Sequence, residues 1–191
     1  MTQTAAGSRA GAAGRTRERI LAVARERFVD LPYDEVRIAE VAAAAGVTQQ
    51  TLLNHFRSKE GLLLALVEAL RPEIEALRGR VVPGDVPAFV RGLVRQYEAL
   101  GDANVRLAAV AERIPVLARG VEFARAHHLA WLEQVFAGSL PGAARGRRRV
   151  LAALYAVTDV GTWKLLRRDL GHSRAETTAV LESLVRAALD P

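Results

Sequence analysis

Residues 36–59, VRIAEVAAAAGVTQQTLLNHFRSK, decide the fold. Ile38, Val41 and Ala45 fall at helical spacing and predict a helix that stops at Gly46. Glycine enters a left-handed turn without Cβ strain, and Val47 then plugs the corner between two helices. Thr48 is a natural N-cap for a second, short helix, because its hydroxyl oxygen accepts from an otherwise unpaired backbone N–H. On that helix Leu52 and Phe56 sit four residues apart and face a core. Gln49, Gln50, Thr51, Leu53, Asn54 and His55 are left to point outward. A glycine turn between two helices, the second studded with amides and hydroxyls, has the form of a helix-turn-helix reading head. An ordinary helical hairpin in an all-α domain would share the pattern.

Upstream, residues 1–15 are mostly Ala, Gly, Ser and Thr and are expected to form a flexible arm. Arg15, Arg17 and Arg19 crowd the entry to the first helix, either as a solvated tail or as an arm that reaches DNA phosphates or the minor groove. The first helix is expected over 16–31, with Ile20, Ala24 and Phe28 on one stripe and Pro32 as its stop. Asp34 is the expected N-cap of the next helix. Downstream, Ser58 caps a fourth helix whose apolar face is Leu63, Leu66, Val67, Leu70, Ile74 and Leu77. Pro72 interrupts that helix by removing one backbone donor. RVVPGDVP, residues 80–87, reads as a turn-rich linker.

The rest of the chain is helical without a repeat. A helix is expected near 85–100, then a short one carrying Leu107, Val110 and Ile114, ended by Pro115. A long helix follows over 116–138, and the last two run over 147–169 and 173–189, with Ser173 capping the final one. The basic run at 145–149 reads as a solvated loop and helix start.

Composition sets limits on function. The chain has 191 residues and no Cys, so neither a disulfide nor a thiolate metal site is open to it. No run is long and apolar enough for a signal peptide or a membrane span, and the expected location is the cytoplasm. The net charge of +6 suggests an anionic partner, but residues 1–60 hold nine basic against seven acidic residues, only +2 of it. Any DNA affinity must therefore come from local placement of charge. His127 and His128 are adjacent, point about 100° apart on a helix and cannot share a metal. No HExxH, nucleophile elbow or phosphate-binding glycine loop occurs, so neither enzyme activity nor a cofactor is expected.

Residues 16–62 resemble the DNA-binding domain of the TetR family of bacterial regulators. The matching residues are Phe28, Tyr33, Val41-Ala42, Ala45-Gly46-Val47-Thr48, Thr51-Leu52, His55-Phe56, Ser58-Lys59-Glu60 and Leu62. The resemblance implies that Arg37, Thr48, His55 and Lys59 contact phosphate and that Gln49, Gln50 and Thr51, beside Asn54, reach base edges. Leu53 departs from the family, which usually has Tyr there; Leu cannot donate that hydrogen bond and would instead meet a thymine methyl.

For residues 63–191 the resemblance implies a helical ligand-binding and dimerisation domain, its last two helices pairing with their copies across a two-fold axis. Phe123, His127 and Trp131 recur at intervals of four. By analogy Phe89, Tyr97, Phe123, His127, Trp131 and Tyr155 are expected near a small-molecule pocket, although plain core packing would give the same stripe. The expectation is an all-α homodimeric repressor, released from a palindromic double-stranded operator by a small-molecule effector. The alternative is a helical ligand-binding or adaptor protein with a vestigial head.

Overall fold

A computed structural model describes residues 3–190 of the protein, with side chains from residue 11 onward. Every regular element among them is helical: α1 (Gln3–Asp30), α2 (Ile38–Ala44), α3 (Gln49–Phe56), α4 (Lys59–Ala69), α5 (Arg71–Arg78), α6 (Val86–Arg113), α7 (Ala118–Phe136), α8 (Ala144–Thr158), α9 (Val160–Lys164) and α10 (Arg174–Leu189). None of them is long and apolar enough to cross a membrane.

Two hydrophobic cores result. The first gathers Ile20, Ala24, Phe28, Val41, Leu52, Phe56 and Leu62 from α1–α4 and is closed by Val110 and Leu117. The second gathers Phe89, Leu93, Tyr97, Leu132, Phe136, Leu154, Trp163 and Leu181 from α6–α10. Helix α6 serves both. Its 28 residues extend about 42 Å at ~1.5 Å per residue. Its first half packs in the second core, and its far end meets the first.

Five expectations are corrected. The arm expected over residues 1–15 is helical from Gln3 on, as part of α1. Ala-rich sequence extends an existing helix without a new nucleus. Residues 11–15 are exposed apart from that helix, so tertiary packing adds nothing to the local preference. The N-cap of α2 is Arg37, not Asp34. Residues 33–35 form one 3-10 turn that buries Tyr33, while the Asp34 carboxylate pairs with Arg113 at 2.8 Å.

The helices expected at 85–100 and around Leu107–Ile114 are one helix, α6. Gly101 does not break it; a Cβ there would lie 2.4 Å from Trp163 Cζ3, so this glycine admits a tryptophan ring. The single helix expected over 147–169 is divided at Asp159, whose extended backbone (ψ 151°) ends α8 and whose carboxylate caps α9 by accepting from Gly161 N–H at 2.8 Å. A π-helical turn over 165–169 follows. Pro72 falls in the first turn of α5, where its missing N–H costs no helical bond, and α4 stops at Ala69.

Candidate functional site

The turn between α2 and α3 closes as the sequence predicts. Gly46 takes φ +64°. Its N–H donates to Ala43 O at 3.0 Å, and Val47 N–H donates to Ala42 O at 3.0 Å. Those two bonds form a Schellman closure that satisfies the last carbonyls of α2. Arg19 on α1 adds a clamp, its Nε donating to Ala45 O at 2.7 Å.

Thr48 Oγ1 accepts from Thr51 N–H at 3.1 Å and lies 2.9 Å from the Thr51 hydroxyl. Gln49, Gln50 and Asn54 are exposed, and Gln50 Nε2 donates to Asn54 Oδ1 at 2.9 Å. Thr51, Leu53 and His55 are half-buried on the same helix, while Leu52 and Phe56 are in the core. Arg37 stands at the start of α2 with most of its side chain in solvent, 3.6 Å from Glu40. Thr48 to Asn54 thus stand at or just after the N-terminus of α3, with Arg37 at the N-cap of α2 and Lys59 in the first turn of α4.

Lys59 is also half-buried. Its ammonium rests on the Tyr33 ring, 4.2 Å from the centroid, and burial lowers its pKa. The Tyr33 hydroxyl donates to Glu60. That bond and Ser58 hold the Glu60 carboxyl below the usual carboxylate range. Gly61 allows α4 to start beneath α3: a Cβ there would meet Phe56 O at 2.1 Å.

A second site lies where α4–α8 converge. A cavity of about 180 Å³ has apolar walls from Val67, Leu70, Ile74 and Leu107 and polar groups from Arg71, Arg78, Gln96, Arg125, His127, His128 and Asp159. Of the residues foreseen for a pocket, Tyr97, Phe123, His127 and Tyr155 line it. Phe89 and Trp131 do not. Phe89 is wholly buried in the second core, its ring 4.3 Å from Trp131 and 5.0 Å from Phe136. Trp131 is covered by the Arg78 guanidinium at 4.1 Å. The interval-of-four stripe is therefore divided: its first two members face the cavity and its third packs on a neighbouring ring.

Arg78, Gln96 and His128 are polar, buried and unforeseen. Gly92 brings Arg78 in, since a Cβ at that position would lie 2.3 Å from Arg78 O. Arg78 Nε donates to Gln96 Oε1 at 2.7 Å, and Nη2 lies 3.5 Å from His128 Nδ1. The Thr158 hydroxyl donates to Leu154 O at 2.7 Å, so it accepts from His128 Nε2–H at 2.8 Å. That assignment leaves His128 Nδ1 as acceptor for Arg78. Burial, with Arg78 alongside, pushes His128 down to about 3. Tyr97, its pKa raised by burial, keeps its proton and donates to Thr158 O at 2.9 Å. One signal for this network was present in sequence: Gln96 breaks the otherwise apolar face of α6.

Residues 20–66 match the family described as bacterial regulatory proteins, tetR family. No curated protein matches the chain in sequence. Solved structures match it over most of its length. A TetR-family transcriptional regulator from Mesorhizobium loti is 20% identical over 93% of this chain and 96% of its own, with a TM-score of 0.65. One from Rhodococcus sp. is 18% identical over 92% and 99%, with a TM-score of 0.69. The flavonoid-responsive regulator FrrA is 24% identical over 93% and 94%, with a TM-score of 0.59. Residues 20–66 thus carry a TetR-family domain, and the whole chain has the fold of the solved TetR-family transcriptional regulators.

Proposed function

We propose that this chain is a homodimeric repressor that leaves a palindromic operator when a small molecule fills the cavity between α4 and α8. The observation that carries the reading is the juxtaposition of a capped, outward-facing α3 with a cavity walled by the helix that follows it. Arg37, Thr48, His55 and Lys59 hold phosphates, and Gln49, Gln50, Thr51 and Asn54 read bases, with Leu53 making apolar contact. Residues 16–62 act as the head and residues 63–191 as the ligand-binding and dimerisation domain. The similarity of fold to the flavonoid-responsive regulator FrrA supports ligand control. The packing of α8 against α10 supplies a two-helix face for the partner copy.

Coupling runs through α4 and α5. Val67 and Leu70 at the end of α4 line the cavity together with Arg71 and Ile74 of α5, while Lys59 begins α4 at the head. A ligand that favours one disposition of α4 changes the spacing of two heads across successive major grooves. Selection of bound sequences from random DNA, followed by salt titration, tests the reading. A palindromic consensus is expected, and Lys59→Ala is expected to flatten log K against log salt by about 0.9 per subunit. Failure to select any sequence would leave the vestigial-head alternative.

A further inference from the structure

Arg78 is 4% exposed and has no carboxylate partner among the described residues. Its contacts are the Gln96 carbonyl oxygen, His128 Nδ1 and the face of Trp131. These accept its hydrogen bonds and its charge density, yet none carries a negative charge. A buried guanidinium held only by neutral groups retains a large desolvation penalty. The two nearby carboxylates are engaged elsewhere: Glu75 accepts from Arg71 at 2.9 Å, and Asp159 caps α9. Burial pulls the Arg78 pKa down to about 10, the direction of a cation lacking a counter-ion.

The cavity beside Arg78 repeats the imbalance. Arg125 also lines it, as does Arg71, which Glu75 already pairs, and Asp159 is the one carboxylate among the lining residues. His127 faces the same space, and its Nε2 is buried without a hydrogen-bond partner. Arg78 Nη1, likewise, makes no hydrogen bond to the described residues. An anion at this end would answer both groups at once, and a planar carboxylate fits the guanidinium fork better than a point acceptor. At the other end the walls are aliphatic. A volume of about 180 Å³ is near the ~150 Å³ that admits one benzene ring.

We propose that this cavity binds a small organic carboxylate of about one ring in size, with its anionic head on Arg78 and His127 and its apolar body against Leu70, Ile74 and Leu107. The inference deepens the ligand-released regulator reading and rests on it. Carboxylate recognition is a property of the pocket that can be measured without DNA.

Tryptophan fluorescence, sensitive through Trp131 beneath Arg78, would follow titrations of the whole protein with benzoate, phenylacetate and 4-methylpentanoate. Each is paired with its neutral carboxamide, and inorganic phosphate serves as a bare-anion control. At least one carboxylate is expected to bind tenfold or more tighter than its amide and than phosphate. Arg78→Met is expected to reduce that preference to twofold or less with no loss of melting temperature in the free protein, since it removes a buried unpaired charge. Arg78→Lys is expected to keep part of it. Amides binding as tightly as acids, phosphate binding as well as any acid, or no acid binding at all would each overturn the proposal. The wild-type comparison stands even if Arg78→Met fails to fold. Release of selected DNA separates the two readings. Acids that bind through Arg78 but leave DNA bound would sustain the carboxylate proposal and defeat ligand release. Amides that release DNA where acids do not would do the opposite.

Discussion

The reading head and the pocket region solve the same problem, placing polar groups within a helical protein, in opposite ways. In the head most groups around the turn find partners within a few residues: Thr48 takes Thr51 N–H, Ser58 takes Gly61 N–H, and Gly46 and Val47 close α2, with the Arg19 clamp on Ala45 O coming from farther off. In the pocket region the partners come from far along the chain. Arg78 meets Gln96 and His128, and His128 meets Thr158. Satisfaction there is also incomplete, as Arg78 and His127 show. A self-satisfied surface is ready to receive a separate macromolecule, whereas an unsatisfied interior is completed by something small enough to enter.

If the two regions stand as separate cores joined by α6, damage to one should spare the other. Trp163 is fully buried against Gly101 in the second core. Trp163→Ala is expected to cost about 3–5 kcal/mol, read from the denaturant midpoint. Affinity of the folded protein for its selected DNA should stay within about twofold of the wild type. A drop in DNA affinity matching the loss of stability would show that the head depends on the second core for its shape.

The same contrast explains what could be read from sequence. The head is specified locally: a glycine after a periodic run, a hydroxyl at an N-cap and two apolar residues four apart describe it almost completely. The pocket is specified by tertiary meetings that periodicity does not encode. Phe89 and Tyr97 look alike on one face of α6, yet Phe89 packs among rings while Tyr97 borders the cavity. Periodicity likewise reads two helices where α6 is one, and does not say that Gly101 within it gives its place to a tryptophan from a distant helix. Arg78 sits at the end of an amphipathic helix, where an arginine is ordinarily solvated; only the close approach at Gly92 puts it inside.

Acid should find the pocket before the head. Burial and Arg78 hold His128 down to about 3 from 6.5, and burial lowers His127 as well. In the unfolded chain both take up protons near pH ~6.5; in the folded chain they resist. The unfolded state therefore binds more protons, and stability falls as pH drops below about 6.5. His128 alone accounts for up to about a tenfold weakening of the folding equilibrium per pH unit. The lowered carboxyls Glu60, Glu73, Glu98 and Asp102 add their loss at lower pH, as they become protonated in the folded state. His128→Gln keeps a donor toward Thr158 without titrating. Its stability should decline less steeply between about pH 6.5 and 4.5; parallel declines would exclude His128 as the source.

On the head, effects should be smaller and confined to DNA. Gln49→Ala is expected to relax discrimination at one operator position by roughly 1–3 kcal/mol without changing stability beyond about 0.5 kcal/mol. An unaltered consensus would remove Gln49 from base reading. Thr48→Ala removes the α3 cap and is expected to cost about 1 kcal/mol of stability, seen as a lower denaturant midpoint. A cost near zero would mean that the Leu52 and Phe56 packing holds α3 without its cap.

The smallest expected effect tests where the two regions touch. Arg113, in the last turn of α6, pairs with Asp34 of the head at 2.8 Å, with side chains 60% and 67% exposed. A pair this open contributes about 0–1 kcal/mol and is screened by salt. Asp34→Asn should therefore shift the melting temperature by no more than about 4 °C. The same limit constrains any part the pair plays in signalling. An interaction worth at most about 1 kcal/mol can alter the ratio of operator affinities, with and without ligand, by no more than about fivefold. The prediction is a change of about twofold to fivefold in that ratio at low ionic strength, fading at high salt. No change at low salt would mean that the end of α6 moves with the head as one body and that coupling runs through α4 alone. A change beyond fivefold would mean that Asp34 does more than hold Arg113, and the separation of the two regions would fail at this contact.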